Sequence, residues 1–82
     1  MKARVHITLK DGVLDPQGKA IGDSLRRIGY TSVSGVRQGK LIELDIDEKD
    51  RRRAAAEVER MCKDLLANPV IESYAIELDG VG

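Results

Sequence analysis

The chain has 82 residues, 34% of them charged and 41% hydrophobic, with fourteen basic and fourteen acidic side chains and a formal net charge of zero. That length bounds it to one domain over residues 1–82, and the charge balance excludes the basic excess of a dedicated nucleic-acid binder. A single cysteine rules out an intrachain disulfide, and no Cys/His cluster has zinc spacing.

A domain this small buries a modest share of its surface. An oligomer or a larger partner is therefore expected to add stability. The apolar runs are too short to span a membrane. The first residues begin an alternating strand and not a signal peptide, so the expected location is the cytoplasm.

Residues 3 to 10 read ARVHITLK. Val5, Ile7 and Leu9 alternate with Arg4, His6, Thr8 and Lys10, which predicts a strand with one buried face. His6 lies on the polar side with no partner at a telling spacing, so it reads as a solvated or interface histidine and not as a catalytic base.

Asp11-Gly12 is a turn signal. Asp15 followed by Pro16 starts a helix, with Asp as N-cap and Pro preset for the first helical position. The helix is predicted from about Pro16 to Ile28, with Ala20, Ile21, Leu25 and Ile28 on one face. Gly29 ends it by tolerating the left-handed conformation. Gly18 and Gly22 each weaken such a helix by roughly 1 kcal/mol relative to Ala. They read as sites of close backbone approach, since they match no nucleotide fingerprint.

Residues 32 to 47 predict a hairpin. Val33 and Val36 sit in its first strand, with a bulge or close approach at Gly35. Gln38-Gly39 makes the turn. The return strand puts Ile42, Leu44 and Ile46 on one face, and Leu41, Glu43, Asp45 and Asp47 on the other.

A second helix is predicted over 48–67, with Asp47 as N-cap and Glu48 and Asp50 in the first turn. Ala54, Ala55, Val58, Met61, Cys62, Leu65 and Leu66 form its apolar stripe, with Leu65 or Leu66 deeply buried. Arg51, Arg52 and Arg53 point in three directions around a turn, as a solvated face with local ion pairs. Cys62 reads as a small core residue. Asn68 and Pro69 stop the helix. A last strand follows from Ile71 to Asp79, alternating Tyr74, Ile76 and Leu78 against Ser73, Ala75 and Glu77, and 79–82 read as a frayed end.

The order strand, helix, strand, strand, helix, strand predicts an α+β domain. The economical arrangement is a ferredoxin-like βαββαβ two-layer sandwich, a four-stranded antiparallel sheet with both helices on one face. Its first and third strands would lie side by side, placing Arg4, His6 and Lys10 next to Glu43 and Asp45. Such pairs contribute roughly 0.2–1 kcal/mol each. Exposed strand edges also invite pairing with a second copy.

Three segments, Val13–Gly18 (VLDPQG), Val36–Lys40 (VRQGK) and Leu65–Tyr74 (LLANPVIESY), resemble in order and spacing the PurS family, the small subunits of phosphoribosylformylglycinamidine synthase. The resemblance implies a subunit of a glutamine-dependent, ATP-consuming C–N ligase complex in purine biosynthesis. It implies a dimer or dimer of dimers that assembles with a glutaminase subunit and a large synthetase subunit. It also implies a role in assembly and ammonia transfer with no catalytic residue, cofactor or metal in this chain, ATP and magnesium belonging to the large subunit. The residues agree: no nucleophile with a base, tuned carboxylate pair or phosphate loop is visible. Gln17, Arg37 and Lys40 in the matched loops have no evident structural task and stand as candidate interface residues, with Arg37 foremost because its planar fork suits a carboxylate or carbonyl pair.

Fold alone does not decide function. The alternative is a regulatory domain that senses a small molecule such as an amino acid, binding near the loop DGVLDPQG. An RNA-binding module of this topology would carry aromatics where Arg4, His6, Thr8, Leu41, Glu43 and Asp45 stand. A metal chaperone would carry a Cys-x-x-Cys pair, which one cysteine excludes.

Overall fold

Alternating side chains build the centre of the molecule. The computed structural model describes residues 1–79; of the end predicted to fray at 79–82, Asp79 lies in a strand and residues 80–82 lie outside the described ones. Strand β1, Lys2–Leu9, turns Ala3, Val5 and Ile7 inward at 0–1% exposure. Strand β2, Gly39–Asp45, and strand β3, Glu72–Asp79, flank it antiparallel in the order β2-β1-β3. In register, Val5 lies opposite Ile42 and Ile76, and Arg4 opposite Glu43 and Glu77. The predicted pairing of Arg4 with Glu43 is present, with Nε 3.6 Å from Oε2. Arg4 also grips Asp79 at 2.7 Å, which holds that carboxyl below the usual range. His6 pairs with Glu77 on the same open face.

Helix α2, Arg51–Met61, begins at Asp50, whose carboxylate accepts the N–H groups of Arg52 and Arg53. The predicted cap at Asp47 and start at Glu48 are therefore displaced by one turn. Arg51, Arg52 and Arg53 are exposed; Arg51 donates to the Leu78 carbonyl and Arg53 lies 4.0 Å from Glu48. Val58 and Cys62 are fully buried beside Ala3, Val5 and Ile7, and α2 packs against β3. Burying side chains such as Ile7 and Val58 stabilises the fold by roughly 1.5–3 kcal/mol each. Tyr74 and Glu59 pin the helix to β3 by a 2.6 Å hydrogen bond from the phenol, whose pKa is pushed up to about 12 by that carboxylate.

The helix then widens into a π-helical turn, Cys62–Leu66, closed by Ala67 N–H donating to the Cys62 carbonyl at 3.0 Å. The extra residue rotates the following side chains away from the predicted stripe. Leu65 is 83% exposed and Leu66 only half-buried, so neither fills the deeply buried position expected of that pair. Ala67 and Cys62 take it instead.

The sheet has three strands among the described residues, not the predicted four. Residues 33–38 are irregular where the first hairpin strand was expected. Their backbone groups are used by helix α1, Pro16–Arg27, and its cap. Arg26 Nη1 donates to the Val33 carbonyl at 2.8 Å, and Gln38 N–H donates to Asp15. Val36 closes on the glycine face: a Cβ at Gly18 would stand 2.7 Å from its carbonyl oxygen, and one at Gly22 3.3 Å from its side chain. The glycines are thus sites of close approach, as predicted. Gly29, at φ 117°, follows the end of α1, also as predicted.

Helix α1 makes no packing with any strand comparable to that of α2 on β3. The molecule is consequently long and thin, 48 × 27 × 14 Å, with a radius of gyration of 16.1 Å. A compact domain of this length would have about 12 Å. No helix among the described residues is long and apolar enough to cross a membrane.

Candidate functional site at the loop end of the sheet

The three loops that carry the sequence pattern meet at one end of the sheet, where β1 finishes and β2 and β3 begin. Gly12, at φ 85°, turns the chain out of β1, and Val13 N–H closes the turn on the Lys10 carbonyl at 3.1 Å. Asp15 then caps α1, accepting Gly18 N–H at 2.8 Å with Oδ1. Its other oxygen accepts Gln38 N–H at 2.9 Å. Those two donors, Gln38 first, hold the Asp15 carboxyl below the usual carboxylate range.

Arg37 fastens the second loop to the first. Its Nη1 donates to Asp11 Oδ1 at 3.0 Å and its Nη2 donates to the Leu9 carbonyl. Lys10 fastens the third: its N–H donates to the Ile71 carbonyl at 2.8 Å and its Nζ to the Pro69 carbonyl at 2.7 Å. Within that third loop Asn68 N–H donates to Glu72 Oε1 at 2.7 Å, and Val70 N–H to Asn68 Oδ1 at 3.1 Å. Glu72 also lies 3.9 Å from Lys40 Nζ, a loose ion pair.

A cleft of about 330 Å³ opens among these loops, lined by Asp15, Gln17, Gln38, Gly39, Lys40 and Glu72 with the last residues of β1. Gln17 and Lys40, singled out from the sequence, both line it. Arg37 does not; it is turned to Asp11 and Leu9 and remains half-exposed. Asp15 was legible as a cap but not as the acceptor of Gln38, and Asp11, legible as part of a turn, and Glu72 were not legible as the partners of Arg37 and Lys40. A contact across 23 residues leaves no periodicity in a sequence.

The cleft offers amides, two carboxylates and one amine, a set suited to hydrogen bonding and ion pairing. Among the described residues that line it there is no thiol or imidazole, and the one hydroxyl is that of Thr8. Cys62 is buried elsewhere, its thiol pushed up by desolvation, and His6 stands on the open sheet face against Glu77. Among the described residues no group of three His, Cys, Asp or Glu side chains is placed to hold a metal ion. Leu14 in the first of these loops and Val70 in the third are 77% and 79% exposed, so the loops present apolar side chains as well as paired charges. That mixture is the character of a contact surface.

Comparison with known proteins agrees with the pattern in the loops. The family model PurS, phosphoribosylformylglycinamidine (FGAM) synthase, matches residues 2–80. A Bacillus subtilis (strain 168) relative, phosphoribosylformylglycinamidine synthase subunit PurS, is 45% identical over 80 residues, covering 98% of this chain and 94% of its own. The crystal structure of Methanocaldococcus jannaschii PurS, described as one of the subunits of formylglycinamide ribonucleotide amidotransferase in the purine biosynthetic pathway, superposes with a TM-score of 0.89. It is 42% identical and the match covers 99% of this chain and 98% of that one. A chain of the PurLQS structure from Thermotoga maritima superposes with a TM-score of 0.85 at 32% identity, covering 93% of each chain.

Proposed function

This chain belongs to the PurS family of phosphoribosylformylglycinamidine synthase, and on that premise we propose that it serves purine biosynthesis as the small, non-catalytic subunit of that enzyme. The complex it joins is a glutamine-dependent, ATP-consuming ligase. The match over residues 2–80 carries this reading. The PurLQS structure, which contains a chain like this one, supports a place in an assembly.

In this reading a glutaminase subunit releases ammonia and a large synthetase subunit, holding ATP and magnesium, consumes it to form the amidine. The present chain holds the two in register for ammonia transfer and does so as a homodimer or dimer of dimers in the cytoplasm. Two features support self-association and docking: a thin molecule with an uncovered helix, and a loop end that mixes apolar side chains with paired charges.

The docking face is assigned to the loop end, with Gln17, Arg37 and Lys40 as contact residues. Gln17 and Lys40 would touch a partner from the rim of the cleft, and the half-exposed Arg37 would touch it while holding the 36–40 loop in place. The test is complex formation by size-exclusion chromatography with both larger subunits, alongside synthesis with glutamine and with ammonium. Lys40→Glu and Gln17→Ala should leave the isolated chain folded, weaken co-elution and lower glutamine-dependent synthesis more than ammonium-dependent synthesis. Parent-like assembly and activity in both variants would remove the loop end from the interface.

A further inference from the structure

Two apolar rows on the inner face of the sheet each end in a charge. In β2 the two-residue period runs back through Leu44 and Ile42 to Lys40. In β3 it runs back through Leu78, Ile76 and Tyr74 to Glu72. The register sets Lys40 opposite Ile7 and Glu72 opposite Leu9 on the strand between them. A cation and an anion therefore flank the end of β1. Beneath them lie Ile7, 1% exposed, and the half-buried Leu9. Apolar side chains at these two positions would have extended the core; the charged ones end it in the cleft described above.

The two charges do not satisfy each other. Lys40 Nζ and Glu72 Oε2 are 3.9 Å apart, whereas a charge-assisted N–H···O bond closes to about 2.7–2.9 Å. The other oxygen of Glu72 accepts Asn68 N–H. Asp15, the second carboxylate of the cleft, has both oxygens occupied by the N–H groups of Gly18 and Gln38, so it serves as a wall. The side-chain amides of Gln17 and Gln38 line the cleft and make no hydrogen bond among the described residues; Gln38 is held by its backbone N–H.

One amine, one carboxylate oxygen and two amides thus stand open above an apolar floor, in a cleft of about 330 Å³. Small-molecule sites run from about 300 to 1,000 Å³, so the ligand is small. A simple anion drawn to Lys40 meets Glu72, and a simple cation drawn to Glu72 meets Lys40. A phosphate group is opposed by both carboxylates. A molecule that carries an ammonium and a carboxylate on one carbon satisfies both open charges at once.

We infer that the cleft binds a free, polar α-amino acid. Its carboxylate accepts from Lys40 Nζ, its ammonium donates to Glu72 Oε2, and its side chain crosses Leu9 to the amides of Gln17 and Gln38. Two close ion pairs replace one loose one, and the apolar floor excludes water from one side of them. This site lies beyond the docking assigned to the rim and does not rest on it.

The experiment titrates the isotope-labelled full chain, free of the larger subunits, with L-glutamine, L-asparagine and L-serine, and follows the backbone amide signals by NMR. At least one of the three should move the signals of Gln38, Gly39 and Glu72 saturably and leave the far end of the sheet unmoved. Analogues of that amino acid lacking the ammonium or the carboxylate should bind at least about tenfold more weakly, because each leaves one charge of the cleft unpaired. Lys40→Met, which keeps the apolar stem, and Glu72→Gln, which keeps the bond to Asn68, should each weaken binding by a similar factor with the rest of the spectrum retained. If one variant fails to fold, the analogues and the other variant still decide. Three amino acids that leave the cleft signals unmoved would overturn the site. So would an analogue with one charge that binds as tightly as its parent, or variants that bind like the unaltered chain. Because the larger subunits are absent, failure here leaves the reading of the chain as their partner standing.

Discussion

The carboxylate of Asp15 accepts the backbone N–H of Gln38 at 2.9 Å across 23 residues of chain, while its other oxygen caps α1 at Gly18. One side chain therefore fixes both the start of a helix and the approach of the segment that enters β2. The ionised form makes both bonds, which is why the carboxyl lies below the usual range.

A pH dependence follows from that sign. A folded pKa below the unfolded value, about 3.9 for aspartate, means that folding is favoured by the ionised form. The contribution is full above the unfolded value and is lost as pH falls through the folded one. Asp23, paired with Arg26 and Lys19, and Asp79, paired with Arg4, are lowered in the same direction. The thermal midpoint should be level from about pH 7 to 5 and fall progressively below about pH 4, where these carboxylates protonate. Asp15→Asn should lower the midpoint at neutral pH and shrink the acid drop. An acid limb as steep in the variant as in the parent would show that Asp15 does not contribute to it.

Gly18→Ala offers a test in which two effects oppose each other. Alanine would favour the helix by roughly 1 kcal/mol over glycine. Its Cβ, however, would lie 2.6 Å from Asp15 Oδ2 and 2.7 Å from the Val36 carbonyl oxygen. Both must move, and the Asp15–Gln38 link moves with them. The variant should be less stable than the parent, with faster amide exchange at Gln38. A more stable protein would show that Val36 does not press on α1.

The core is concentrated on β1 and α2. Ile7→Ala should cost about 2–5 kcal/mol, the range for large aliphatic truncations in a core, because Ile7 is 1% exposed. Leu65→Ala should stay within about 0.5 kcal/mol, as for surface sites in general, because Leu65 is 83% exposed. Urea midpoints measured on the same day decide between them. Equal losses would place Leu65 in the core after all.

What was legible in the sequence follows from how local each signal is. The alternation in β1 and β3, the Asp15-Pro16 start and the Gly29 stop depend on neighbours a few residues away, and all are found in place. The segment 33–38 reads as a strand by its valines, yet α1 and its cap capture its backbone, a tertiary contact that no periodicity announces. Leu65 reads as core on a regular helix, and the π-helical turn at Cys62–Leu66 rotates it out. Of the loop-end residues, Gln17 and Lys40 line the cleft, whereas Arg37 braces it from behind. The convergence of three distant loops depends on the register of β1 with both neighbours, which single-chain patterns do not encode.

The most direct measurement is the rate of amidine synthesis by the two larger subunits, with and without this chain, using glutamine or ammonium as the nitrogen source. With glutamine, synthesis should depend on adding the chain and saturate at a fixed ratio to the other subunits. With ammonium, synthesis by the large subunit should persist in its absence, since delivery is bypassed. The purified chain alone should neither hydrolyse glutamine nor turn over ATP. Full glutamine-dependent synthesis without the chain, or either reaction mapped to the chain itself, would contradict the account.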